Sequence, residues 1–171
     1  MNTTDQYKFE DNRNEISFMP NYGFLRTLKW WLAAGIFAVP LIYYFRNILF
    51  ENAFIIIVSI WVVYMGYFLV DLVFRVPVKY IFDKQEKCIY RKLFFTQKIM
   101  YFEEMTYFIN EDSGGYYYVI GKKRNQFVKN YRISNYFSGS KASRIKEEGF
   151  LENILYPLLN AINIPINRSQ E

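Results

Sequence analysis

Two uncharged apolar runs limit what this chain can fold into. Trp30 to Phe45 carries no charged side chain, and neither does Asn52 to Val70. About 18 such residues in a row make a helix long enough to cross a ~30 Å hydrocarbon layer. The second run meets that length alone. The first meets it once Leu28, Lys29 and the Arg46–Phe50 tail are drawn in, with the Lys29 and Arg46 charges snorkelling to the interface. The pattern predicts a transmembrane helical hairpin over 28–74, turning at Arg46–Asn52, with the rest of the chain as its cargo.

Residue choices along the hairpin agree with that reading. Trp30 and Trp31 open the first helix and Tyr43 and Tyr44 lie near its end, the placing of headgroup-level aromatic belts. Ala34 and Ala38 form a small-xxx-small pair through which the second helix would approach closely. Pro40 predicts a kink that a neighbouring helix accommodates. A conduction pathway calls for polar groups inside the spans, and only Ser59 and the border residue Asp71 are on offer. Asp71 reads as half of an interfacial ion pair with Arg75 or Lys29. Orientation follows from the cations. The turn holds Arg46; Arg26 and Lys29 precede the first helix, and Arg75, Lys79, Lys84, Lys87, Arg91 and Lys92 follow the second. The positive-inside rule then puts both termini in the cytoplasm.

Outside the hairpin, about a hundred residues remain for one small domain. Residues 1–27 form a polar segment of mixed charge, with Asp5, Lys8, Glu10, Asp11, Arg13 and Glu15, and lack the pattern of a signal peptide. Within it, Glu15–Met19 predicts a short strand before Pro20 that either joins the later domain or lies on the membrane surface. From Arg75 the apolar period changes to two. Strands are predicted over Val78–Phe82, Cys88–Phe95, Lys98–Phe102 with Thr106–Ile109, Tyr116–Ile120 and Gln126–Ile133. Turns fall at Asp83–Lys87, Ser113–Gly115 and Gly121–Asn125. The apolar stripe Ile145, Leu151, Ile154, Leu155, Leu158, Leu159 and Ile162 predicts a terminal amphipathic helix, weakened at Gly149 and Pro157. An antiparallel sheet closed by that helix is the natural packing for this order.

Tyr80-Ile-Phe-Asp83, Ile89-Tyr-Arg-Lys92 and Lys98-Ile-Met-Tyr-Phe-Glu-Glu-Met105 carry a family likeness. With the hairpin ahead of them, they resemble the bacterial pleckstrin-homology-like membrane proteins, the YcxB-like group among them. The resemblance covers Arg75 to Ile164 and the hairpin topology. It implies an α+β membrane protein in which a two-helix transmembrane hairpin is followed, over 75–171, by a PH-like split β-barrel capped by a C-terminal helix. It brings no catalytic residues.

Chemistry is constrained by what is scarce. Cys88 is the sole cysteine and histidine is absent, so no internal disulfide forms, and the usual metal ligands and near-neutral general base are missing. No phosphate loop or nucleophile elbow occurs. Glu103 and Glu104 are adjacent, which on a strand sends them to opposite faces. These features predict a protein with no enzymatic activity, cofactor or metal. Cations are plentiful: from Arg75 onward, sixteen Lys and Arg face ten Asp and Glu. Lys79, Lys84, Lys87, Arg91 and Lys92 are the candidate lipid- or partner-binding set, since anionic headgroups attract such residues. Lys122, Lys123 and Arg124 form a second basic group at a hairpin tip, where a solvated turn is favoured over nucleic-acid binding. Tyr116-Tyr117-Tyr118 predicts one buried and one outward aromatic set, the latter suited to protein contact.

Together these features lead to the expectation of a bacterial inner-membrane interaction module, integral through two spans and displaying a cytosolic face to a protein partner or the membrane surface. An immunity protein that neutralises a toxin, and a small channel or transporter subunit, are the rival readings. Neither partner nor oligomeric state follows from these residues.

Overall fold

The computed structural model describes residues 3–122 and 129–163. In chain order, a short helix α1 (Thr3–Tyr7) and strands β1 (Glu10–Asp11) and β2 (Glu15–Phe18) come first. Two long helices follow, α2 (Phe24–Phe45) and α3 (Glu51–Val70), the latter running into a π-helical turn over Asp71–Arg75. Then come β3 (Lys79–Asp83), β4 (Cys88–Lys92), β5 (Thr96–Tyr101), a 3-10 turn (Phe102–Glu104), β6 (Met105–Asp112), β7 (Gly115–Lys122), β8 (Tyr131–Arg132) and β9 (Phe137–Ser138). Helix α4 (Lys141–Phe150), a π-helical turn (Leu151–Leu155) and α5 (Tyr156–Ala161) close the described chain. Two compact units result: Gly23–Pro77, and Met1–Tyr22 together with Val78–Glu171.

The N-terminal segment is built into the sheet unit. Strand β2 pairs antiparallel with β3, Ile16 opposite Phe82 and Phe18 opposite Tyr80, and β1 adds outside it. Ile16 and Phe18 are fully buried, and the Phe18 ring stacks on Phe82 at 5.9 Å. Upstream, Tyr7 lies 5.1 Å from Phe150, ring to ring, and its hydroxyl accepts the Asn135 N–H at 3.0 Å. A helix as short as α1 has little stability of its own. Burial of Tyr7 holds it.

The alternation of Val78–Phe82 and the Asp83 turn produce β3 and β4 as expected, since the Asp83 carboxylate accepts the Gln85 and Glu86 N–H groups at 2.8 and 2.9 Å. Strand β4 stops at Lys92, short of Phe95, because the chain turns there into β5. The ladders form one five-stranded sheet, β1-β2-β3-β4-β5, and a second in which β6-β7-β8 is joined by β9 beside β7. The expected barrel is not closed: among the described residues no ladder joins the two sheets. The Phe102–Glu104 turn is the reason: of the two readings, one strand interrupted at Glu103-Glu104 or two separate strands, the structure has the second, with β5 and β6 in different sheets. Of the predicted strand Gln126–Ile133, β8 covers Tyr131–Arg132, and residues 126–128 lie outside the described residues.

The terminal helix keeps its apolar stripe and changes its winding. Ile154, Leu155, Leu158, Leu159 and Ile162 are buried, whereas Ile145 is exposed. Pro157 falls in the first turn of α5, where its missing N–H costs no helical bond. The π-helical turn before it absorbs the changed bonding. Sheets and helices share one core containing Phe82, Met105, Ile120, Phe137 and Phe150.

Gly115 allows β9 to reach β7. A Cβ there would stand 2.4 Å from the Phe137 carbonyl oxygen and 2.2 Å from Cε1 of Tyr136. Backbone cannot yield at that distance, so Gly115→Ala is expected to lower stability by about 1–3 kcal/mol, the usual cost of overpacking. Urea unfolding followed by near-ultraviolet circular dichroism measures it.

In the other unit, α2 and α3 are long and apolar enough to cross a membrane. Helix α2 begins earlier than the uncharged run, at Phe24, and ends at Phe45, so Arg46–Phe50 is the connection and no part of either helix. The helices meet closely at Gly35; of the expected Ala34–Ala38 pair, Ala34 is exposed and Ala38 half-buried. A Cβ on Gly35 would stand 2.3 Å from the Met65 sulfur. Trp61 donates its indole N–H to the Gly35 carbonyl at 2.9 Å, and the Tyr64 hydroxyl donates to the Trp31 carbonyl at 3.1 Å. Trp31 also stacks on Phe68 at 6.3 Å. Asp71 pairs with Arg75 at 3.6 Å, one of the two partners expected for it.

Candidate functional site

The five cations on β3, β4 and their turn do not form one patch. Lys79 starts β3 and pairs in register with Lys92 at the end of β4. Lys84 and Lys87 belong to the turn at the other end of that hairpin. Five-residue strands at about 3.3 Å per residue hold the two ends roughly 16 Å apart. Arg91 sits one position inside Lys92, opposite Tyr80.

The N-terminal segment neutralises part of the set. Lys79 donates to Glu10 at 3.1 Å, and Lys84 donates to Asp11 at 2.7 Å and to the Asn12 carbonyl at 3.0 Å. The Lys79 ammonium, chiefly through that hydrogen bond, holds the Glu10 carboxyl below its ordinary range. Such solvated pairs are worth about 0–1 kcal/mol each. Their effect is on local potential more than on stability. Among the described residues, Lys87, Arg91 and Lys92 enter no ion pair.

The second basic group is also partly committed. Lys122 closes β7 and pairs with Glu104 at 3.0 Å, which lowers the Glu104 carboxyl. Glu104 reaches back to the Tyr101 N–H at 3.4 Å, tying the 3-10 turn. Glu103 and Glu104 therefore lie on a turn, both exposed, rather than on a strand. Lys123 and Arg124 lie outside the described residues.

The tyrosine run divides by the period of the strand. Tyr116 and Tyr118 point to one side, where both hydroxyls donate to Glu147 of α4, at 2.5 and 2.8 Å. Tyr117 points to the other, with the Arg132 guanidinium 4.7 Å from its ring and Tyr136 6.2 Å away. Nothing in the sequence distinguishes Glu147 from Glu148 and Glu152. Its two phenol partners make it the clasp between the second sheet and the terminal helix.

Burial pushes the phenols of Tyr7, Tyr80 and Tyr116 up to about 12 from the usual 10.0, with Glu147 reinforcing the shift at Tyr116. Burial, then Glu147, raises Tyr118 as well. Below pH 10 these phenols are neutral in folded and unfolded chains alike. Between pH 10 and 12 the unfolded chain ionises them while the folded one does not, so folding stability is lost across that window as pH rises. On alkaline titration followed by phenolate absorbance, ionisation of Tyr7, Tyr80, Tyr116 and Tyr118 should coincide with loss of tertiary circular dichroism, and Glu147→Gln should bring that step to lower pH.

An exposed aromatic tip escaped the sequence reading. Leu93-Phe94-Phe95 joins β4 to β5, and Phe95 is 87% exposed. In the sequence these residues continue the strand alternation, and only the register Lys92 opposite Thr96 shows them to be a turn. No group of three acidic or cysteine side chains converges among the described residues. Comparison with family models, curated proteins and solved structures finds no match to this chain.

Proposed function

We propose that this chain is a membrane-anchored interaction module: α2 and α3 cross a bacterial inner membrane, and the sheet unit works on the cytoplasmic face without catalysing a reaction. The observation that carries the proposal is the β2–β3 ladder. Strand β2 precedes α2 and β3 follows α3, yet they are neighbours in one sheet. A hairpin that crosses twice is the simplest path that returns the chain to its starting side. The apolar surfaces of the helices support insertion, with Ile36, Phe37, Ile60 and Val63 all exposed. Patches of that size on a soluble protein invite aggregation. Cations at the flanks, by the positive-inside rule, favour the cytoplasmic side. The resemblance to pleckstrin-homology-like proteins agrees with two antiparallel sheets and a terminal helix.

The mechanism is positional. A surface held at the membrane meets a protein partner or the bilayer at raised effective concentration. The Arg132–Tyr117–Tyr136 face is suited to the first and the Arg91–Lys92 end of β4 to the second. The test is protease protection of the full chain in right-side-out and inverted membrane vesicles, with alkaline extraction to check integration. Cleavage of the sheet unit in inverted vesicles only, with retention in the extracted membrane, supports the proposal. Release by alkali, or cleavage from the outside, overturns it. Purification in mild detergent then shows whether one protein co-purifies stoichiometrically.

A further inference from the structure

We infer that the β4–β5 tip, residues 93–95, is a wedge that seats in the interfacial layer of an anionic membrane. The inference rests on the membrane reading above and assigns the part of the sheet unit that meets lipid. Hairpin tips ordinarily use Gly, Asn or Asp, which satisfy turn geometry and water together. Here the tip is Phe94 and Phe95, at 61% and 87% exposure. Leu93 packs back against the core and its N–H bonds the Phe95 carbonyl at 3.4 Å, so the sheet presents the tip on a short, closed turn.

Charge identifies the occupant. Arg91 and Lys92 directly precede the tip, and among the described residues neither has an acidic partner. Lys79, opposite Lys92, is already matched by Glu10, and Lys98 is drawn away over the Tyr101 ring at 3.9 Å. Exposed aromatics flanked by unmatched cations are the chemistry of the lipid headgroup boundary, where rings enter the interface and cations meet phosphates. Connectivity points the same way. Phe18 ends β2 and Lys79 begins β3 at the sheet end that carries the tip, and these are the strand residues next in sequence to α2 and α3.

The test uses the full chain with Cys88→Ala, which removes the one native thiol, and Thr96→Cys carrying a nitroxide beside an intact tip. The protein is placed in nanodiscs of phosphatidylcholine alone or mixed with phosphatidylglycerol. Collision of the label with oxygen, relative to a water-soluble nickel chelate, reports immersion. The expected result is a ratio several-fold higher in the anionic discs, lost in Phe95→Ser and reduced in Arg91→Gln with Lys92→Gln. Phe95 is exposed, so its replacement leaves circular dichroism unchanged. A water-like ratio in both lipids overturns the inference, and equal immersion in both overturns its anionic part. Weak collision with both reagents means that protein covers the tip, which also overturns it. Failure of the chain to float with lipid at all sinks the membrane reading, a separate outcome.

Discussion

A chain shortened to begin at Arg75, the boundary that composition suggests, should fail to fold. It would lack β2, leaving β3 as an open edge, and would lose Tyr7, Ile16 and Phe18 from the core, all 2% exposed or less. Each large apolar side chain is worth about 1.5–3 kcal/mol on burial. Three of them are a large share of the ~5–15 kcal/mol by which small domains are stable. Dispersed amide proton resonances and a cooperative melt should therefore be absent. Joining residues 1–22 to residue 78 through a flexible linker should restore both, because that fusion contains every strand of the five-stranded sheet. A folded Arg75 chain would mean that the N-terminal strand is an accessory to the core.

The second large effect centres on Phe150. This fully buried ring lies within 6 Å of Tyr7, Tyr118 and Phe137, which come from α1, β7 and β9. Few side chains join so many elements at once. Phe150→Ala should cost about 3–5 kcal/mol, the range for truncating a buried aromatic. The three remaining rings come from three different elements, so they cannot fill the void without a shift of those elements. Phe150→Leu retains most of the volume and should cost clearly less. Urea midpoints of the two variants decide between a cavity and a loss of local helix, since the second cause would move both alike.

The helices were legible in the sequence because an uncharged run of that length has few alternatives. Their ends were less so: Phe24 and Leu25 belong to α2, but Arg26 and Lys29 mask them in any reading by charge. Strands β3 and β4 were legible from alternation and the Asp83 turn, both local signals. Partnership at long range was not. Glu10 and Lys79 are 69 positions apart, and nothing in either segment names the other. Residues 1–27 therefore read as a separate polar segment, although their acids meet the cations of the first hairpin. The basic set was legible as composition but not as geometry. Lys79 and Lys84 look adjacent in sequence, yet a strand separates them. The tyrosine run succeeded for the reason that the basic set did not: a period of two fixes the facing of Tyr116, Tyr117 and Tyr118 without knowledge of their partners.

The β2–β3 ladder also bears on how the protein is made. Strand β2 leaves the ribosome before either apolar helix, and its partner only after both. No part of the five-stranded sheet beyond β1 and β2 can form until both helices have left the ribosome. If the two helices cross a membrane as proposed, a nascent chain that threads one and leaves its mate behind would strand β2 and β3 in different compartments. The apolar faces of Ile16 and Phe82 would then stay uncovered and open to proteolysis. Under the proposed membrane reading, completion of the five-stranded sheet would therefore depend on both helices being inserted together.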